Sequence, residues 1–369
     1  MNKHTAFAVV ALVLILSAFA AWKFLHVDEY LARPARGADV TVKVMVGGEK
    51  MAFLANPKVQ FVLKSKYGLT IDASKVGSIN MVAGANPGVD ALWPSSQIAS
   101  ELFRLNGGVP VAEENIFNSA IVMYSPTAVA DALVAAKIAE KRDGSVYVIN
   151  CKKLFETGDA ALTWAGLGLP RINGKVKVFS SDPMLTNSGL MFAALLANIL
   201  NNDEVVTEKE LPSIEPKVSA YFKRLGTMER STSDLFQSFL SNPMFKPIII
   251  GYENQVVEYA LQHPEHRELL RSQIQVLYPV PTVWSSHPFI ALTSNGKRVI
   301  DALKDPEVQR LAWEEHGFRS GLVGATNDPR ILVVGGIPKT VDSIISVPAG
   351  PVMKKIMEGL SGDVSPTTP

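Results

Sequence analysis

The chain is short of the residues that metal and redox chemistry rely on. One of its 369 residues is cysteine, Cys151. That excludes an internal disulfide and any cysteine-ligated zinc or iron–sulfur site, and Cys151 reads as a small packed residue. Histidines number six: His4, His26, His263, His266, His287 and His316. The pair in His263-Pro264-Glu265-His266 is three apart and interrupted by proline. A helical metal pair sits four apart, so this one reads as solvated surface. Excess charge is missing as well. Lys and Arg total 36 against 35 Asp and Glu, a net +1, which excludes the basic footprint of a nucleic-acid partner. There is no Gly-x-Ser-x-Gly elbow, and nothing ties Ser95 or Ser125 to a base. No catalytic residue is assigned. The Gly47-Gly48 pair lacks the remaining glycines and the Lys-Ser/Thr end of the nucleotide-binding fingerprints, so no cofactor is expected.

What is present begins with an apolar run from Thr5 to Trp22 behind Lys3 and His4. It reads as a signal peptide or an uncleaved inner-membrane anchor over 1–25, with Ala18-Phe19-Ala20 as a small-x-small cleavage pattern. A tether over 26–39 follows, and the bulk of the protein is expected in the periplasm. At 47% hydrophobic, the rest can bury the cores of two medium domains.

One turn organises the interior, Ser181 to Gly189. Val176 to Phe179 before it predicts a strand. Leu190, Met191, Leu195, Leu196 and Ile199 after it predict the buried stripe of a helix. Thr186, Asn187 and Ser188 are good N-cap residues, and Gly189 leaves room for a ligand at the backbone. The free amides of such a first turn can hold an anion. Similar strand–polar turn–helix units recur. The alternation of Val42, Val44 and Val46 predicts a strand ending at Gly47-Gly48. Val76 to Val82 reads as a strand leading to Ser95-Ser96. Ile121 to Tyr124 leads to Ser125-Pro126-Thr127, and Lys246 to Gly251 leads to Tyr252-Glu253. Strands are also expected near 274–278, 287–292 and 331–336, and helices near 296–304, 306–316 and 351–360. Strands alternating with helices imply a mostly parallel α/β sheet, with ligands beyond the carboxyl ends of its strands. Trp93 and Trp284 read as core or hinge packing.

These residues resemble the type 2 periplasmic solute-binding proteins, on the side of their molybdate, tungstate and sulfate branch. The resemblance covers about 40–325. It rests on residues 90–97, Tyr124-Ser125-Pro126, 181–189, 251–255, Leu277-Tyr278-Pro279 and His316-Gly317-Phe318. It implies a two-lobe α/β fold in which the chain crosses between lobes near Tyr124 and near 278–282. Lobe one would be 40–124 plus 283–360, lobe two 125–282, and 361–369 a tail. It further implies a small polar or oxyanion solute held in the cleft between the lobes, with an ABC permease or a membrane sensor as partner. The candidate ligand residues are Gly48, Ser95, Ser96, Ser125, Thr186, Asn187, Ser188, Gly189, Tyr252 and Glu253. The serine that anion-binding relatives often carry after their first strand is not matched at Gly47-Gly48. Glu253 would bring a carboxylate to the cleft, where it repels a buried anion unless protonated or turned away. A second reading keeps the fold but makes the chain a membrane-tethered accessory protein of an envelope or stress-resistance complex.

Overall fold

In the computed structural model of the chain, residues 38–155 and 162–362 are described. The expected signal segment and nearly all of the tail lie outside them. No helix among the described residues is long and apolar enough to cross a membrane.

One strand links everything else. β4 (Ala112–Pro126) is 15 residues long and is fully buried from Ala120 onward, as its apolar run Ala120 to Tyr124 requires. Its first part pairs antiparallel with β9 (Trp284–Ala291) and β10 (Arg319–Ser320). Its second part pairs antiparallel with β7 (Ile249–Tyr252) and β8 (Ile274–Val280). The change of partners falls between Ala120 and Ile121. On one side the ladder continues through β3 (Ala91–Trp93) and β1 (Val40–Val46) to β2 (Leu69–Lys75). On the other it continues through β6 (Val146–Asn150) to β5 (Ala139–Arg142). Among the strands of the described residues, only β1 with β2 and β3, and β6 with β8, are parallel. The sheet is therefore mixed, not mostly parallel. The reason is that β8 and β9, which follow one another in the same direction through residues 281–283, both run antiparallel to β4.

Each half of the sheet is covered on both faces. In the first half Val42, Val44 and Val46 point into a core with Phe53, Trp93, Phe117 and Phe318. Phe53 meets the other three rings edge-on, the favoured geometry for aromatic pairs. In the second half the helix Asn187–Leu200 is buried all round from Ser188 to Ile199, where its sequence predicted a one-sided stripe. The helix Leu211–Lys223 covers one flank through Ile214, Val218 and Phe222. The helix Gly350–Ser361 adds Val352, Met353 and Ile356 to this same core, although it lies in the 283–360 stretch expected in lobe one.

Three predicted strands take another form. Val76 completes the β1–β2 region by donating its N–H to the Val46 carbonyl (2.9 Å). Ser78–Val82 is then a short helix starting at Gly77 that buries Met81 and Val82. In 176–179 only Phe179 makes a bridge, to Ile249. Residues 331–336 form no strand. Val333 and Val334 lie against the core beside β7 and β8 without a partner ladder, which accounts for their apolar character. The chain then passes the second crossing, where the Thr282 N–H donates to the Ser343 carbonyl (3.1 Å). Ile345 N–H donates back to the Thr282 carbonyl (2.9 Å).

Candidate functional site

The cleft lies where the two halves of the sheet meet and measures about 280 Å³. From the first half come Gly48, Glu49, Lys75, Ser78 and Ser95; from the second come Thr186, Asn187, Arg230, Thr232, Tyr252 and Asn254. Three helices of the second half begin on it: Asn187–Leu200, Thr232–Ser241 and Glu253–Gln262. Thr186 caps the first, its hydroxyl accepting from Gly189 N–H (3.1 Å). Ser231 caps the second by accepting from Asp234 N–H (3.0 Å). Gln255 turns back to accept from Tyr252 N–H (2.8 Å) at the third. Capping uses some first-turn amides and leaves the others, with their partial positive charge, at the cleft.

Asn187 joins the halves. Its Nδ2 donates to the Ser95 carbonyl (2.8 Å), to the Tyr252 hydroxyl (3.0 Å) and to Ser285 Oγ (3.3 Å). Its Oδ1 is buried without a partner, as is Nδ2 of Asn254. Buried polar atoms left unpaired at a cleft are unusual in a folded protein.

The floor from the first half is ionic. Lys50 is fully buried, and its ammonium pairs with Glu49. The same ammonium donates to Ser95 Oγ (3.1 Å) and His287 Nδ1 (3.1 Å) and lies 5.6 Å from the Trp93 ring centroid. Ser95 Oγ donates to Glu49. Burial works against ionisation of Glu49, but Lys50 beside it and the bonds from Lys50 and Ser95 prevail and hold its carboxyl at about 2. Burial, reinforced by the Lys50 charge, pushes His287 down to about 3. His287 is therefore neutral and accepts from Lys50 through Nδ1, and its Nε2, which then carries the proton, has no partner. Glu258, also on the cleft, lies 2.9 Å from His316 Nδ1. Lys75 and Arg230 line the cleft too, and neither makes an ion pair to another described residue.

The structure brings together Gly48, Ser95, Thr186, Asn187 and Tyr252 on this cleft. The other expected ligand residues sit elsewhere. Glu253 is completely buried and turned away from the cleft: its carboxylate accepts from Tyr278 OH (2.6 Å) and is bridged by both Nε and Nη2 of Arg319. Ser125 Oγ donates to the Pro247 carbonyl (2.9 Å) inside the sheet. Ser96 precedes the helix Gln97–Leu105, but its buried hydroxyl neither caps it nor finds another partner. Ser188 Oγ is shared with Ser181 (3.0 Å) and Thr232 (2.6 Å), a link between helix starts. Gly189 does not open the backbone to a ligand. A Cβ there would meet the Ser181 carbonyl at 2.5 Å, so the glycine lets the preceding turn fold onto its own helix. At Gly48 a Cβ would meet only the flexible end of Lys75, whereas at neighbouring Gly47 it would strike Ser95 Oγ at 2.2 Å.

Sequence reasoning missed Glu49, Lys50, Lys75, Arg230, Thr232 and Asn254. For Thr232 a signal existed: Ser231-Thr232-Ser233-Asp234 before Leu235 and Phe236 is a helix-start pattern of the kind used elsewhere.

Among solved structures, the periplasmic binding protein AfuA from Actinobacillus pleuropneumoniae, with fructose-6-phosphate bound, aligns over 88% of this chain and 98% of its own. Its identity is 13% and the TM-score 0.56. Iron-bound HitA from Pseudomonas aeruginosa aligns over 87% and 97%, at 12% identity and TM-score 0.56. The fold is that of the type 2 periplasmic binding proteins. Apo ferric ion-binding protein A from Pasteurella haemolytica shares this periplasmic-binding-protein fold, at 13% identity over 87% and 95% of the chains, with a TM-score of 0.52. No protein-family model and no curated protein sequence matches the chain. The two-lobe periplasmic-binding-protein architecture accounts for the double set of partners on β4 and for a cleft bounded by helix starts from one lobe and the 47–49 turn of the other.

Proposed function

We propose that this is an exported solute-binding protein that captures a small polar or anionic solute between its two lobes, for an ABC-type transporter or a membrane sensor. The observation that carries the reading is the charge balance of the cleft. Both carboxylates on it already have cationic or histidine partners, while Lys75 and Arg230 make no ion pair among the described residues. Three helix starts add partial positive charge on the same side. The removal of Glu253 from the cleft by Arg319 takes away the repulsion that would oppose an anion. At about 280 Å³ the space is at the small end for ligand sites, which favours a compact solute such as an oxyanion or a short carboxylate. The structural neighbours bind iron and a sugar phosphate in the same fold, which supports solute capture as the role. Periplasmic placement, with residues 1–25 holding the chain to the inner membrane, belongs to this proposal. So does the division into lobes, one built around β1, β2, β3 and β9 and the other inserted between the crossings at Ala120 and Val280.

The test is calorimetric titration of the purified protein against a panel of inorganic oxyanions, small carboxylates and neutral polar solutes. An anion should bind, and Thr186→Ala should weaken it by about 1–3 kcal/mol, the penalty of leaving a buried polar partner unpaired. Arg230→Ala, at an exposed side chain, should weaken it in a salt-dependent way. Wild-type affinity in both variants, or binding confined to neutral solutes, would overturn the anion assignment.

A further inference from the structure

The sequence His263-Pro264-Glu265-His266 reads as solvated surface when measured against an α-helix. The structure changes the ruler. Pro264–His266 is a 3₁₀ turn with His263 as its N-cap. A 3₁₀ turn has three residues per turn, so residues three apart eclipse, and a pair spaced i,i+3 shares one face. The two imidazoles indeed lie stacked, with centroids 5.5 Å apart and planes 22° from parallel. Glu265 Oε1 is 3.2 Å from His263 Nδ1. One ligand atom each from His263, Glu265 and His266 can be chosen so that all lie within 4.8 Å of one another.

We propose that His263, Glu265 and His266 form a surface site for a divalent transition-metal ion of the Zn²⁺ or Cu²⁺ type, separate from the cleft. Two imidazoles and a carboxylate suit those ions and not Ca²⁺ or Mg²⁺, which prefer all-oxygen sets. Ligand bonds of about 2.0–2.2 Å place neighbouring donor atoms roughly 3.3 Å apart. The present spacing must close by about 1.5 Å for that geometry, which side-chain rotation can supply, because Glu265 is 62% and His263 39% exposed. His266 is already oriented. Its Nδ1 sits 2.7 Å from Tyr259 OH and its ring stacks on Tyr259 at 5.7 Å and 11°. That leaves Nε2 for the metal and makes Tyr259 the outer partner that metal-bound histidines usually have. The position is electrostatically apt as well. The cluster follows the last residue of the helix Glu253–Gln262, at the negative end of its dipole. Arg267, the next residue in the chain, is occupied with the Ala260 carbonyl (2.7 Å). The start of that helix lies on the cleft, so the two sites are about 15 Å apart along its axis.

The experiment is titration of the full, untagged chain with Zn²⁺ by calorimetry, followed by the paramagnetic resonance spectrum of the Cu²⁺-loaded protein. The expected result is one equivalent of Zn²⁺ that disappears in His263→Ala/His266→Ala, with two nitrogen ligands in the Cu²⁺ spectrum of the parent. Tyr259→Phe should keep the site but weaken it about tenfold. The metal-free double variant should keep the parent's fold by circular dichroism, with its melting temperature lowered only by the loss of the Tyr259 contact. Equal stoichiometry and affinity in parent and double variant, or a Cu²⁺ spectrum lacking two nitrogens, would overturn the proposal. Anion binding in the cleft should be the same in both proteins, so failure here and failure of the cleft reading are told apart.

Discussion

A fully buried lysine is rare unless paired, and Lys50 has a set of partners built around it: Glu49, Ser95, His287 and the face of Trp93. Removing one member of a buried ion pair costs more than the pair contributes, because the other charge is stranded. Lys50→Met should therefore lower stability by about 3 kcal/mol in urea unfolding, even though Met fills similar space. The same cluster sets a pH dependence. His287 has a folded value of about 3 against an ordinary 6.5, so between these values the unfolded chain binds the extra proton. Its contribution is present above 6.5 and is lost as pH falls towards 3. Glu49, held at about 2 against 4.5, contributes above 4.5 and loses that contribution as pH falls towards 2. Both terms have the same sign, so the melting temperature should drop continuously from about pH 6.5 downward. His287→Gln, which can still accept from Lys50, should flatten the part above pH 4.5. This cluster was illegible in the sequence. Glu49-Lys50 looks like any polar turn, and only the antiparallel return of β9 brings His287 onto it.

At the scale of elements, the sequence carried much of the site because helix starts have their own grammar. Thr186 and Asn187 were readable from cap preference followed by an apolar run, and the structure places both on the cleft. The same grammar does not say where a first-turn side chain points. Tyr252 faces the cleft while its neighbour Glu253 is carried to the opposite side, where Arg319 from β10 meets it. Arg319 also donates to the carbonyls of Pro338 (2.6 Å) and Lys339 (2.9 Å), so this pair anchors the strand, the helix and the following segment together. Glu253→Gln should consequently leave solute affinity unchanged per folded molecule and cost about 3–5 kcal/mol of stability, as for other broken buried pairs. Paired titration and denaturation curves would separate the two effects. The strand predicted at 331–336 failed for a related reason. Apolar residues laid against a core mark burial, and burial alone does not require a neighbouring strand.

For the molecule as a whole, the α/β class was expected from the order of strands and polar turns, and the double crossing from the resemblance to the type 2 solute-binding proteins. The mixed direction of the sheet was not, because pairing partners far apart in the chain leave no local trace. Nor was the path of residues 321–362. From β10 the chain runs across the second crossing through the Thr282–Ser343 and Thr282–Ile345 bonds. Asn198 then donates to the Ser346 carbonyl (2.8 Å), and Gly350 N–H donates to Glu101 of the helix Gln97–Leu105 (2.6 Å). The final helix thus touches elements of both halves. On the proposed solute-binding role, this third connection would act as a return spring. Swinging the halves apart would stretch the segment or peel the helix from one side, a penalty borne by the open state alone, so the dwell time of a captured solute would lengthen with the stiffness of the spring. Ser343 holds its position with φ at +55°, a value that proline cannot adopt. Ser343→Pro should slacken the segment and speed solute dissociation in stopped-flow measurements, and an unchanged rate would mean that the tail plays no part in how long the solute stays.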